Sequence, residues 1–235
     1  MGRTVPGTQL VLDEQVVRVS PEGAFVLGFG REASSTARLE AKFPNGEHVV
    51  RLLNVTPRKY DIQNIDGLPS QKVTPPPEAL ERIRQEAAQV AEARRQDLAR
   101  PFFLSGFQWP VTGRITGVYG SQRILNGQPR RPHYGIDIAA PAGTPVQAPA
   151  DGMVTLVHPN MYFSGGTLIL DHGHGLSSSF LHLQSIHVEV GQKVKRGDRI
   201  ASVGATGRVT GSHLDWRMNW FTERVDPSLL VPPMK

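Results

Sequence analysis

From Pro101 onward no stretch of the chain carries helical periodicity, and this confines its second half to β structure. Short apolar runs recur instead, each closed by Gly, Pro or Asp. They are Arg114 to Val118, Val146 to Ala148, Gly152 to Val157, Thr167 to Asp171, Ser178 to Leu181, Val188, Arg199 to Val203 and His213 to Met218. Strands this short at near-regular spacing predict an antiparallel sheet or partly open half-barrel over residues 105–235.

The first 65 residues repeat the signal on a smaller scale. Ala37, Leu39, Ala41 and Phe43 alternate with Arg38, Glu40 and Lys42, and the alternation resumes at Val49, Arg51, Leu53 and Val55 after Asn45-Gly46. Asn and Gly both tolerate positive φ, so the pair predicts a hairpin with a primed two-residue turn. Ser20-Pro21-Glu22-Gly23 marks a second turn. A small all-β, sandwich-like domain over 1–65 follows. Between the two β regions, residues 66–104 read as a Pro-rich linker and an amphipathic helix. Glu78 to Arg100 lacks Gly and Pro, and Leu80, Ile83, Ala87, Val90 and Leu98 recur at three-to-four spacing until Pro101 stops the run. The apolar stripe is expected to dock within the chain. The fold class expected is mainly β, with one helix.

At 235 residues and 39% hydrophobic composition the chain can bury a substantial core. It has no transmembrane segment of the usual ~20 apolar residues, and Met1 to Pro6 lack the apolar region of a signal peptide. Location in the cytoplasm, or export with the signal removed, satisfies that reading. The net charge of +5 favours anionic partners, but the basic residues concentrate only at Arg130-Arg131 and between Lys193 and Arg199. No aromatic-interleaved basic stripe is present, so no nucleic acid is expected as a partner. The absence of cysteine excludes disulfides, thiol catalysis and thiolate zinc sites. Any transition metal must be held by histidine and carboxylate.

Histidines cluster where such a metal could sit. His133, His158, His172, His174, His182 and His187 fall between residues 130 and 190, and His213 follows. In His133-Tyr134-Gly135-Ile136-Asp137 an imidazole and a carboxylate lie four apart. An extended strand would separate them by about 13 Å, so a bend is required, and Gly135 is the expected place for it. His213 and Asp215 are two apart, hence on one face of a strand. His182 is a lone polar residue in Phe180-Leu181-His182-Leu183; taken alone it reads as a core histidine with its hydrogen bonds satisfied. His172-Gly173-His174 reads as a turn at a strand end, with His172 able to support a site from behind. His48, His158 and His187 read as surface or turn residues, and Trp216 and Trp220 as core.

The order His133-x-x-x-Asp137, then Phe180 to Leu183, then Thr206-Gly207 and Gly211-Ser212-His213-Leu214-x-Trp216 resembles the lysostaphin-like, LytM-type peptidases of family M23. Trp109 to Val111 followed by Thr116 to Gly120, Pro141 to Gly152, and Gly191 to Gly204 extend the likeness to about half the chain. The resemblance implies the lysostaphin-like sheet and a zinc-dependent endopeptidase acting on peptidoglycan peptide stems. It implies His133, Asp137 and Asp215 as metal ligands, and His182 and His213 as catalytic residues handling the proton of the attacking water and the developing oxyanion. It also implies a periplasmic or extracellular location. Asp215 departs from the family, which has histidine there. One imidazole and two carboxylates neutralise a divalent ion, so manganese is expected to compete better with zinc. The rival reading is a LytM-type domain that has lost catalysis and binds cell wall or serves a hydrolase or divisome-type partner; Asp215 favours it, whereas retention of His133, Asp137, His182 and His213 opposes it. A lipoyl-type carrier would need an exposed hairpin lysine, yet none occurs between Lys72 and Lys193, and no Gly-x-Ser-x-Gly or His-Glu-x-x-His motif is present. A further expectation is that residues 1–100 autoinhibit the site.

Overall fold

The computed structural model describes residues 1–65, 75–125, 127–129 and 131–234. Most of the expected linker, residues 66–74, lies outside the described residues, as does Arg130 of the basic pair.

The C-terminal apolar runs, apart from Val188, which lies past the end of the Leu176–Ile186 strand and in no strand itself, become one antiparallel sheet of ten strands. Its main path is Lys193–Val194, Gly152–Met161, Gly165–Asp171, Leu176–Ile186, His213–Trp220, Gly135–Ala139 and Arg114–Gly117. Pro145–Gln147 pairs with Arg199–Val203, which joins Leu176–Ile186, and Glu223–Val225 pairs with His213–Trp220. The alternation of the His213–Trp220 strand turns Leu214, Trp216 and Met218 into the core, all fully buried, and leaves His213, Asp215, Arg217 and Asn219 on the opposite face. The mainly β fold with one helix is therefore as expected.

Upstream, Gln15–Val17, Gln9–Leu12, Thr36–Lys42 and His48–Asn54 form a four-stranded antiparallel sheet whose Leu10, Leu12, Val17 and Ala37 join the same apolar core as the large sheet. The hairpin at Asn45-Gly46 forms, but not with the primed two-residue turn. Gly46 N–H donates to the Phe43 carbonyl at 2.9 Å and Gly46 takes φ of +88° while Asn45 stays out of the left-handed region. Pro44 sets the second position of this turn and shifts the left-handed residue to the third loop position. Ile62–Ile65 leaves this sheet and pairs in parallel with Gln122–Leu125, the strand that leads towards His133.

The helix is shorter than expected. A 3-10 turn at Pro77–Ala79 precedes an α-helix at Leu80–Arg94. Tertiary bonds take over where another helical turn would begin: Asp97 pairs with Arg18 at 2.6 Å, and the Leu98 carbonyl accepts from His174 N–H at 2.9 Å. The helix docks on the Gly152–Met161 and Gly165–Asp171 strands, as expected, though not through the whole predicted stripe. Leu80 and Ala87 are exposed, whereas Glu86 and Ala93 are buried. Glu86 faces the sheet because the Tyr162 N–H needs an acceptor, which its Oε2 supplies at 2.8 Å while Oε1 takes Arg82 Nε at 2.7 Å.

Behind the sheet, the buried His172 ring is partnered at both nitrogens. His172 bonds the Asp151 carbonyl at 2.7 Å through Nδ1 and Ser178 Oγ at 2.8 Å through Nε2, and Ser178 Oγ also accepts from Trp216 Nε1 at 3.3 Å.

Removing Glu86 leaves the part-buried Tyr162 amide without its acceptor, a loss of about 1 kcal/mol. Glu86→Ala, which also removes the Arg82 partner, is expected to lower stability by about 1 kcal/mol in urea unfolding and to speed hydrogen exchange through Leu80–Arg94. Burial pushes the His172 imidazole down to about 4, so the folded chain refuses a proton that the unfolded chain accepts. Its contribution to stability is therefore lost as pH falls from 6.5 towards 4. Asp171, raised to about 6 by burial, acts in the opposite sense over a similar range, since the folded chain binds its proton more tightly. In His172→Gln the unfolding midpoint should thus fall less on acidification from pH 6.5 than in the parent protein.

Candidate metal centre

The centre is built from a cross-strand pair. Asp137 and Asp215 lie directly opposite each other between Gly135–Ala139 and His213–Trp220, which sets two carboxylates side by side on one face. His133 precedes the strand and is held by two backbone bonds of 2.7 Å, its N–H to the Ser121 carbonyl and its carbonyl from the Gly120 N–H. Its Nε2 stands 3.2 Å from Asp137 Oδ1. One donor atom from each of His133, Asp137 and Asp215 lies within 4.8 Å of the others, so folding brings the expected trio together.

The bend expected at Gly135 lies before it. Gly135 opens the strand without a left-handed φ, and its value is spatial: a Cβ there would overlap Asp215 Oδ1. Gly117 does the same on the other side, where a Cβ would overlap Asp137 Oδ2. Both glycines exist as room for carboxylates.

His182 and His213 stand beside the trio with ring centroids 4.9 Å apart. His182 occupies a left-handed conformation, φ of 65°, where the register against the Gly165–Asp171 strand shifts between Phe180 and Leu183, an uncommon arrangement for a side-chain-bearing residue. Its Nδ1 bonds the Thr206 carbonyl at 2.9 Å, and the Nδ1 of His213 bonds the Gly211 carbonyl at 2.9 Å. A carbonyl can only accept, so both rings carry their proton on Nδ1 when neutral and keep Nε2 as the free atom. His213 Nε2 lies 3.8 Å from Asp137 Oδ1. Burial lowers the His182 pKa, which keeps that ring neutral.

The donors fit a divalent cation. His133 Nε2 and Asp137 Oδ1 are buried without hydrogen-bond partners, although each faces the other. A lone pair and a carboxylate oxygen so placed call for a positive charge between them. Asp215 differs, because Arg217 holds it with a fork: Nε to Oδ1 at 2.9 Å and Nη2 to Oδ2 at 2.5 Å. Burial alone would raise the Asp215 pKa, but the Arg217 charge and hydrogen bonds override it and hold the carboxyl below its ordinary range. An ionised carboxylate has about four lone-pair sites, so the fork leaves Asp215 able to accept another partner. Arg217 also alters the charge balance, since an Asp215–Arg217 couple is neutral, as an imidazole is.

Arg217 is the neighbour of the trio that the sequence does not single out, although the period of two that pairs His213 with Asp215 places residue 217 on the same face. His172 and His174 point elsewhere, into the core and onto the Ala99 carbonyl respectively. His48, His158 and His187 stand apart from the trio, outside the group of donors that converge.

Histidine and carboxylate donors converging on an antiparallel sheet, with two further imidazoles alongside, define the class of metal-dependent hydrolases. The sequence profile of Peptidase family M23 matches residues 131–227. The crystal structure of a putative peptidase M23 from Pseudomonas aeruginosa superposes with a TM-score of 0.75 at 31% identity, covering 97% of this chain and 89% of that one. The chain belongs to peptidase family M23. It is 45% identical over 114 residues to peptidoglycan DD-endopeptidase ShyA of Vibrio cholerae, covering 47% of this chain and 26% of that protein. Cell division protein DipM of Caulobacter vibrioides is 32% identical over 169 residues, 68% of this chain and 26% of that protein. The matches thus span about a quarter of the length of these curated relatives.

Gly117→Ala should push Asp137 out of the trio while leaving the strand intact, because the three atoms nearest a Cβ there all belong to the Asp137 side chain. The expected result is a loss of about tenfold to a hundredfold in zinc affinity by calorimetry, with unchanged far-ultraviolet circular dichroism.

Proposed function

We propose that the chain is a zinc-dependent endopeptidase that hydrolyses peptide bonds in peptidoglycan. The observation that carries this reading is the convergence of His133, Asp137 and Asp215, with orphaned donor atoms on two of them. A zinc ion held by these three would polarise the scissile carbonyl and acidify the attacking water. His213, with Nε2 free and nearest Asp137, takes the proton of the water and returns it to the leaving amine. His182, kept neutral by burial and fixed by the Thr206 carbonyl, presents its own Nε2 to the reacting centre and orients it. Arg217 returns the site to the net charge of the usual family donor set, which removes the reason for favouring manganese. Action on peptidoglycan places the protein in the periplasm or outside the cell. The relative named for cell division supports a divisome-type partner as part of the same proposal.

One observation favours the rival, a non-catalytic LytM-type domain: Asp215 already has a cation, with both its oxygens held by Arg217. Metal content and digestion of purified peptidoglycan separate the two. Protein purified without chelator should carry one zinc per chain and release soluble fragments. His133→Ala should lose both. His182→Ala and His213→Ala should keep the metal and lose about 10²- to 10⁴-fold in rate. Absence of tightly bound metal together with no fragment release would establish the rival.

A further inference from the structure

Beside the metal centre the same face of the sheet gathers positive charge without matching acids. Arg217 lies opposite Ser179, and Asn219 lies opposite Arg224, in the register of the Leu176–Ile186, His213–Trp220 and Glu223–Val225 strands. Arg94, the last residue of the helix, reaches down to Ser179 Oγ at 2.9 Å, and Arg224 Nη1 donates to Asn219 Oδ1 at 3.2 Å. Three guanidinium groups therefore share one patch, and their side-chain partners other than Asp215 are neutral.

The charge balance is unfavourable as it stands. Arg94 Nε is buried with no acceptor, a rare condition for a charged donor. Burial, then Arg224, then Arg217 push the Arg94 pKa down to about 8, and burial followed by Arg217 pushes Arg224 down to about 10. Guanidinium keeps its proton at physiological pH, so such pressure measures a demand for a counter-anion rather than a titration. The acids that bear on Arg217 are Asp215 and Asp137, both members of the candidate metal trio. Asp215 is already engaged by the Arg217 fork, so Arg94 and Arg224 are left without a salt bridge of their own among the described residues. Clusters of cations that serve only packing are disfavoured, because each buried charge without a partner is costly.

We infer that Arg94, Arg217 and Arg224 form a binding site for a carboxylate of the peptide substrate. The guanidinium fork suits a planar carboxylate; 26% of the Arg217 side chain remains open to solvent, and Arg94 and Arg224 are half-buried rather than sealed, so the patch is reachable from outside. Residue 217 is two positions along the strand from Asp215, roughly 6.6 Å, which sets the bound carboxylate about two residues from the scissile bond. The helix thereby becomes part of the substrate site through Arg94. This inference rests on the peptidase reading for the identity of the ligand, whereas the binding itself needs no catalysis.

The test is calorimetry on the full chain, stripped of metal by chelation, with two probes. One is a cross-linked stem-peptide fragment with free α-carboxylates, and the other is the same fragment with carboxamides. The carboxylate form should bind at least about tenfold tighter, the worth of one charge-assisted hydrogen bond, and added salt should shrink the ratio. Arg94→Gln and Arg224→Gln should each abolish the preference. Arg94→Gln should unfold at the same temperature as the parent or higher, because one of three repelling cations is gone; if it fails to fold, Arg224→Gln carries the test. Equal binding of the two fragments to the parent, or full preference in a folded Arg94→Gln protein, overturns the inference. Inorganic phosphate bound in an Arg94-dependent way, without any carboxylate preference, overturns it in favour of a phosphate site. A carboxylate preference in a protein that releases nothing from peptidoglycan keeps the site and removes the peptidase.

Discussion

Two carboxylates face each other across an antiparallel register at Asp137 and Asp215, and the surrounding structure exists to make that pairing tolerable. Like charges directly opposite on neighbouring strands repel, and neither group can turn away from a sheet face whose side-chain directions are set by the pleat. Relief must come from positive charge brought in by other parts of the fold. Arg217 supplies it for Asp215 from the same strand, whereas Asp137 Oδ1 and the facing His133 Nε2 stay without a hydrogen-bond partner and leave the demand for a cation between them. The family's usual histidine at position 215 would need no such compensation. Asp215 and Arg217 therefore act as one unit, and losing either alone leaves an uncompensated buried charge, typically a matter of 3–5 kcal/mol.

Scaffold and site are coupled through what the backbone leaves out as much as through what it contributes. The missing side chains at Gly117 and Gly135 create the volume that the carboxylates fill. The left-handed backbone at His182 turns a residue that strand geometry would commit to one face towards the neighbouring His213 ring. Such a conformation is held in place by its surroundings, here by the buried strands on either side and by the Thr206 carbonyl.

Much of this was legible before any coordinates. The strand at Arg199–Val203 has the predicted bounds, and the Gly152–Met161 and Leu176–Ile186 strands extend their predicted runs, because alternation and turn residues are local signals. Gly135–Ala139 escaped the list of strands because its polar Asp137 and two flanking small residues weaken the pattern. The helix end was misplaced because residues 95–100 keep helical composition but are claimed by Arg18 and His174, partners distant in sequence. The convergence of His133 and Asp137 with Asp215 was accessible through family resemblance. Arg94 was not, since nothing local says that the last turn of a helix will reach a strand 85 positions further along.

The parallel pairing of Ile62–Ile65 with Gln122–Leu125 bears on how the chain assembles during synthesis. A ribosome delivers the first of these strands about sixty residues ahead of its partner, so its edge emerges with nothing to zip against. The later strand belongs to the segment that carries His133, so the pairing ties that segment to the first third of the chain. Such a long-range closure is among the slower contacts a nascent polypeptide makes.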